Sequence, residues 1–124
     1  MTAPIPTGTH LIADLYGCTG LADIALVERA LRGAVDAAGA TLLDLRLHGF
    51  GEELGVTGVA LLAESHLSIH TWPEHGYAAV DIFLCGEQHD LDAALATLRH
   101  SFTATRCEEQ RIARGFGAAT PVER

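Results

Sequence analysis

Between Leu43 and Cys85 the chain repeats a pattern that leaves few folds open: segments of strand period, joined by links of a few residues. Leu43, Leu45 and Leu47 alternate with Asp44, Arg46 and His48, as a strand with one wet or functional face does. Val56 to Ala63 is continuously small and apolar and reads as a buried strand. Leu67 to Trp72 alternates until Pro73 stops it, and Tyr77 to Cys85 places Val80, Ile82 and Leu84 opposite Tyr77, Ala79, Asp81, Phe83 and Cys85. A link as short as Glu74-His75-Gly76 suits an antiparallel hairpin, since a parallel crossover needs a dozen residues or more.

Two helical patterns flank this block. Asp23 suits an N-cap, Ile24, Val27, Leu31, Val35 and Ala38 share one face, and Gly39 supplies the stop. Leu91, Ala94, Leu95, Leu98 and Phe102 mark a second helix, with Asp90 and Asp92 in its first turn, where the helix dipole favours them. His10 to Tyr16 reads as a first strand ending at Gly17, and Thr103 to Ile112 as a weaker last one. The predicted order is βαββββαβ, an α+β two-layer sandwich with a mainly antiparallel sheet and two helices on one face. Residues 1–124 form a single domain, with loose tails expected over Met1 to Thr7 and Phe116 to Arg124. Two helices cover only one face of such a sheet. The other must meet a partner or carry a site, and a sheet-to-sheet homodimer is the economical solution.

Charge and cysteine usage exclude several classes. Eight basic against sixteen acidic residues give a formal charge of −8 with no basic cluster, so neither nucleic acid nor an anionic membrane is an expected partner. Cys18, Cys85 and Cys107 are widely spaced and form no CxxC pair, which points away from a disulfide framework or structural zinc. With no signal-peptide pattern and no apolar run of transmembrane length, the cytoplasm is the expected compartment.

Against this frame, Glu64 to Glu74 (ESHLSIHTWPE) stands out. Its first seven positions, Glu64 to His70, bring a carboxylate, a hydroxyl nucleophile at Ser65 and two imidazoles into a segment that otherwise reads as a strand, and polar groups there cost stability unless satisfied or used. His66 and His70 invite a metal reading, but on a strand they lie roughly 13 Å apart, too far to share one ion. No metal is expected. Ser65 and His70 have opposite parity, so a turn or bulge at Glu64 to His66 is needed to bring them together.

The motif, together with Cys85 twenty positions after Ser65, resembles the active-site segment of the prokaryotic S-adenosylmethionine decarboxylase proenzymes, and the likeness runs from about Gly8 to Arg114. The resemblance implies that the chain cuts itself between Glu64 and Ser65, into a 1–64 β chain and a 65–124 α chain. Ser65 then becomes a pyruvoyl cofactor that takes the substrate amine as a Schiff base. In that chemistry a serine hydroxyl attacks its own preceding carbonyl, and the ester formed is then eliminated and hydrolysed. His70 matches the family's processing base. Thr57 stands where the family commonly has a serine that assists processing, keeping the hydroxyl and adding a methyl. Cys85 matches the acid that returns a proton to the substrate α-carbon, while Cys18 and Cys107 pack. Phe50 fits the family's adenine-stacking aromatic, and Glu74 its carboxylate on the ribose hydroxyls.

The resemblance thus implies a homodimeric decarboxylase of S-adenosylmethionine that supplies aminopropyl groups for spermidine and other polyamines. Three alternatives stay open: arginine or ornithine as the substrate of the same scaffold, an unprocessed non-catalytic partner subunit, and a cysteine hydrolase built on Cys85.

Overall fold

The computed structural model describes residues 7–115. Its elements run β1 (Thr7–Tyr16), α1 (Ile24–Ala38), β2 (Leu42–Gly49), β3 (Val56–Leu62), β4 (His66–Trp72), a single 3₁₀ turn (Pro73–His75), β5 (Tyr77–Leu84), α2 (Leu91–Ser101) and β6 (Arg106–Gly115). The six strands form one sheet in the order β2-β3-β4-β5-β1-β6, every neighbouring pair antiparallel. The expected βαββββαβ order holds. Apart from Thr7, which pairs with Gly115, the tails expected at both ends lie outside the described residues.

The first helix begins and ends as its sequence predicts, while in α2 Asp90, expected in the first turn, is the N-cap and Phe102 lies just past the end. The Asp23 carboxylate accepts from the N–H groups of Ala25 and Leu26, and Gly39 closes α1 at φ 76°, a left-handed conformation that costs glycine little. Asp90 caps α2 by accepting from Ala93 N–H. Val27, Leu31 and Val35 of α1 and Leu91, Leu95 and Leu98 of α2 are buried, with Phe102, against Leu11, Leu15, Ile69 and Ile82 of the sheet. Ile24 departs from expectation and stays half exposed. It lies in the first turn of α1, with its Cδ1 over Gly49 at the end of the edge strand β2.

The strands differ from expectation in several places, the simplest being β1, which starts at Thr7 rather than His10. A register irregularity between Leu42 and Asp44 shifts the parity of β2, so Leu42, Leu45 and Leu47 face the core and Leu43 faces out. A bulge does this by giving one strand an extra residue. In β3, Val56, Gly58, Ala60 and Leu62 are buried, but Val59 and Leu61 remain 41% and 52% exposed. A strand expected to be buried on both sides is covered on one, because both helices lie on the same face. The strand β5 ends at Leu84, which leaves Cys85 in the loop that follows. Finally, β6 starts at Arg106 rather than Thr103, because Thr103 (φ 51°) lies in the turn that closes α2.

The helix-free face carries most of the polar groups singled out in the sequence. Directly paired residues share a face. The pairs Thr57↔His70, His66↔Phe83, Ser68↔Asp81, His10↔Phe83 and Ile12↔Asp81 therefore set these side chains on one surface, with Ile112 opposite His10. Ile12, Val59, Leu61 and Ile112 are its exposed apolar members.

Candidate active site

The residues singled out in the sequence fall into two groups at opposite ends of β4. At the first end, Ser65 sits just ahead of β4, in the turn from β3, where its carbonyl accepts from Leu62 N–H. Its hydroxyl lies 3.4 Å from His66 Nδ1. Glu64 is held by its carboxylate, which accepts from Thr41 N–H at 3.1 Å, with His89 Nε2 at 3.8 Å. That backbone donor, with His89 close by, holds the Glu64 carboxyl below its usual range. The β4–β5 register ends at His66↔Phe83, so Ser65 and Cys85 leave neighbouring strands at the same end of the sheet. The Cys85 carbonyl accepts from the N–H groups of Gln88 and His89, which ties down the loop that carries the thiol.

At the other end, Thr57 Oγ1 and His70 Nδ1 lie 2.5 Å apart. The His70 ring packs against Trp72 (centroids 4.2 Å) and Phe50 (5.8 Å), and Phe50 also meets His48 edge-on at 4.7 Å. Phe50 is 52% exposed, so a face is free for a planar ligand. Its loop is closed by Phe50 N–H donating to the Gly55 carbonyl. Gly55 admits no side chain without movement, since a Cβ there would lie 2.2 Å from the Thr71 carbonyl oxygen. Glu74 projects from the 3₁₀ turn after Trp72 and is exposed.

The turn expected at Glu64 to His66 is present, but it does not unite Ser65 with His70, and no bulge follows it in β4. Pairing is continuous from His66 to His70 on both sides of β4, which leaves Ser65 and His70 roughly 16 Å apart along one strand. The chain brings Thr57, His70 and Phe50 together, and separately Ser65, His66 and the start of the Cys85 loop.

Between the two ends lies a network that the sequence reading did not assemble. Asp81 Oδ2 accepts from His10 Nε2 at 2.7 Å and from His66 Nε2 at 3.2 Å, and Ser68 Oγ donates to Asp81 Oδ1. Burial pushes the Asp81 carboxyl up, but the donors around it, Ser68 first and then His10, outweigh burial and hold it below the carboxylate range. A charged residue in the middle of the apolar run Tyr77 to Leu84, with His10 midway along β1, was the available signal. Ligand-type atoms of His10, His66 and Asp81 fall within 4.8 Å of one another, as a divalent ion requires. Arg114 argues for another use. Its guanidinium has only donors and lies 3.0 Å from His10 Nδ1, so Nδ1 accepts and the ring proton sits on Nε2, facing Asp81. These atoms are engaged in hydrogen bonding.

Beyond Cys85 a cavity of about 720 Å³ is lined by Thr9, Gly86, His89, Leu91, Asp92 and Arg111 among others. Neither Ser65 nor Phe50 lines it. Tyr77, whose hydroxyl donates to Asp14 at 2.6 Å, is pushed up to about 12 by that bond and by burial, so it is a neutral donor on the open face.

Taken together, a two-layer α+β domain with an uncovered sheet face presents a serine hydroxyl in a turn beside an imidazole, a nucleophile with a base near it. Comparisons with known proteins identify the family. The S-adenosylmethionine decarboxylase family profile matches residues 9–115. The chain is 49% identical to the S-adenosylmethionine decarboxylase proenzyme of Thermomicrobium roseum over 109 residues, covering 88% of this chain and 94% of that protein. It is 54% identical to the proenzyme of Prochlorococcus marinus over 117 residues (93% and 90%) and 47% identical to that of Methanococcus vannielii over 111 (88% and 90%). The crystal structure of the adenosylmethionine decarboxylase from Aquifex aeolicus superposes with a TM-score of 0.82 at 34% identity, covering 97% of this chain and all of that one. The chain belongs to the S-adenosylmethionine decarboxylase family.

Proposed function

We propose that the chain is a self-processing decarboxylase of S-adenosylmethionine whose cofactor is a pyruvoyl group made from Ser65, feeding spermidine and other polyamine synthesis. What carries the reading is the family match over residues 9–115 together with a Glu-Ser bond presented in a turn rather than inside a strand. Cleavage would give chains 1–64 and 65–124. Ser65 Oγ attacks the Glu64 carbonyl carbon and the peptide becomes an ester. Loss of the Ser65 α-proton then expels the Glu64 carboxylate, and the dehydroalanine left behind takes up water and releases ammonia. His70 is the base for the α-proton, with Thr57 holding its ring. Once formed, the pyruvoyl group supplies a carbonyl that draws electrons from the substrate as carbon dioxide leaves. Phe50 would hold the adenine by stacking and Glu74 the ribose hydroxyls, while Cys85 gives a proton to the α-carbon.

The separation of Ser65 from His70 within one chain supports a two-chain site. A homodimer joined through the open sheet face would set the His70 end of one protomer against the Ser65 end of the other, twice by symmetry. It would also cover Ile12, Val59, Leu61 and Ile112. Co-expression of Ser65→Ala and His70→Ala chains tests this. In the mixed dimer one site has both groups, so the His70→Ala chain should be fully cleaved there although it stalls alone. No rescue in an assembly shown to be mixed would place the site within a single chain. A stable monomer in equilibrium sedimentation at micromolar concentration would contradict the assembly outright.

The substrate assignment rests on Phe50, which offers a flat face for adenine and, by cation–π attraction, for a sulfonium. Carbon dioxide release should be measured side by side from carboxyl-labelled S-adenosylmethionine, arginine and ornithine. Release from the nucleoside substrate alone is expected. Preferential turnover of either basic amino acid would overturn the substrate while leaving the cofactor chemistry in place. No helix among the described residues is long and apolar enough to cross a membrane. The acidic balance, sixteen carboxylates to eight cations, supports a cationic ligand and gives nothing for nucleic acid to grip.

A further inference from the structure

The mechanism above leaves one proton unassigned. Before Ser65 Oγ can attack the Glu64 carbonyl, its own proton must go to a base, and His70 of the same chain is roughly 16 Å away along the strand. The group beside that hydroxyl is His66, with Nδ1 at 3.4 Å from Oγ. Its other nitrogen, Nε2, lies 3.2 Å from Asp81 Oδ2. Asp81 is held in its anionic form by Ser68 and His10, and a carboxylate only accepts, so the His66 proton sits on Nε2 and Nδ1 presents its lone pair to Ser65. His10 cannot take that place, because Arg114 occupies its Nδ1 and Asp81 its Nε2.

Asp81, His66 and Ser65 therefore form an acid–imidazole–hydroxyl chain, in which the carboxylate sets the ring tautomer and stabilises the imidazolium that forms. We propose that His66 is the base that starts self-cleavage, with Asp81 as its positioning residue and His70 reserved for the later α-proton. The proposal rests on the self-processing reading above and deepens it. In the step, His66 Nδ1 takes the Ser65 hydroxyl proton as the Oγ–C bond to Glu64 forms. The imidazolium returns that proton to the Ser65 nitrogen as the C–N bond breaks. The products are an ester, a free amine and a neutral His66, with no proton gained or lost. The groups facing His66 are Asp81 and Phe83 of β5, His10 of β1 and Ser65 itself.

The two histidines then fail at different points, and hydroxylamine, which cuts an ester but not an amide, tells them apart. His66→Ala should slow cleavage by about 10²-fold or more, the usual contribution of a positioned base, and accumulate no hydroxylamine-cleavable ester. Added imidazole should restore part of the rate, which a packing role would not produce. Asp81→Asn should slow the same step without ester, since an amide N–H facing Nε2 favours the wrong tautomer. It also carries the test if His66→Ala does not fold. Cleavage of either variant within about threefold of the wild-type rate, or ester accumulation in either, overturns the proposal while self-processing stands. A wild-type chain that stays intact overturns the self-processing reading instead.

Discussion

Ser65→Ala should leave a single intact chain, whereas the unaltered protein should resolve under denaturing conditions into 1–64 and 65–124. The second fragment should resist N-terminal sequencing, because its first residue would be a pyruvoyl group. Mass spectrometry reads both statements at once. The effect is all-or-none because alanine has no oxygen to accept the acyl group, and no neighbour can substitute. The two hydroxyls on β4 are committed elsewhere: Ser68 donates to Asp81 and lies three residues past the bond to be cut, and Thr71 donates to the Leu21 carbonyl. His70→Ala should behave differently and stall at the ester, which hydroxylamine then cuts. An intact wild-type chain after prolonged incubation would remove the enzyme reading in favour of a partner subunit.

Cys85→Ala should separate making the cofactor from using it. Cys85 stands outside β5, on a loop fixed through its carbonyl, and the proposed acyl shift and elimination do not use it. Cleavage should therefore proceed at close to the normal rate. Turnover should fall by about 10²-fold or more, the usual scale for a positioned acid. The carbonyl should also be lost progressively as protons arrive at the wrong carbon. Unchanged turnover would reduce Cys85 to a packing residue.

Hydrophobic period and turn residues announced most of the fold. Asp23 and Gly39 bound α1 because capping is local chemistry that a few residues specify. The period-2 face of β5 is buried where expected because both its neighbours pair with it in unbroken register. What failed was set at longer range. Leu43 alternates with its neighbours as a core residue would, yet the irregularity beside Asp44 turns it outward, and no nearby glycine or proline advertises that. The place of β1 between β5 and β6 depends on pairing across about seventy and a hundred residues, which no local pattern encodes. At the site, Thr57 and His70 meet because β3 and β4 form a hairpin in simple register. The gap between Ser65 and His70 was visible as a parity conflict in the sequence. That no bulge within β4 closes it is seen only in the strand pairing. The Asp81 network drew on His10, too distant in the chain to be grouped with the ESH motif by reading along it.

The strand order has a mechanical consequence if the chain cuts itself after Glu64, as proposed. A six-stranded open sheet has five seams, and three of them, β3–β4, β5–β1 and β1–β6, would join one fragment to the other. The first strand of the shorter-numbered piece is clasped on both edges by strands of the second. Breaking one covalent bond in the turn between β3 and β4 would therefore release nothing. The halves could part only if the sheet were pulled open along all three seams, so exchange of fragments between molecules should be as slow as unfolding itself. No disulfide is called for as a fastener. Losing either piece would mean losing the fold.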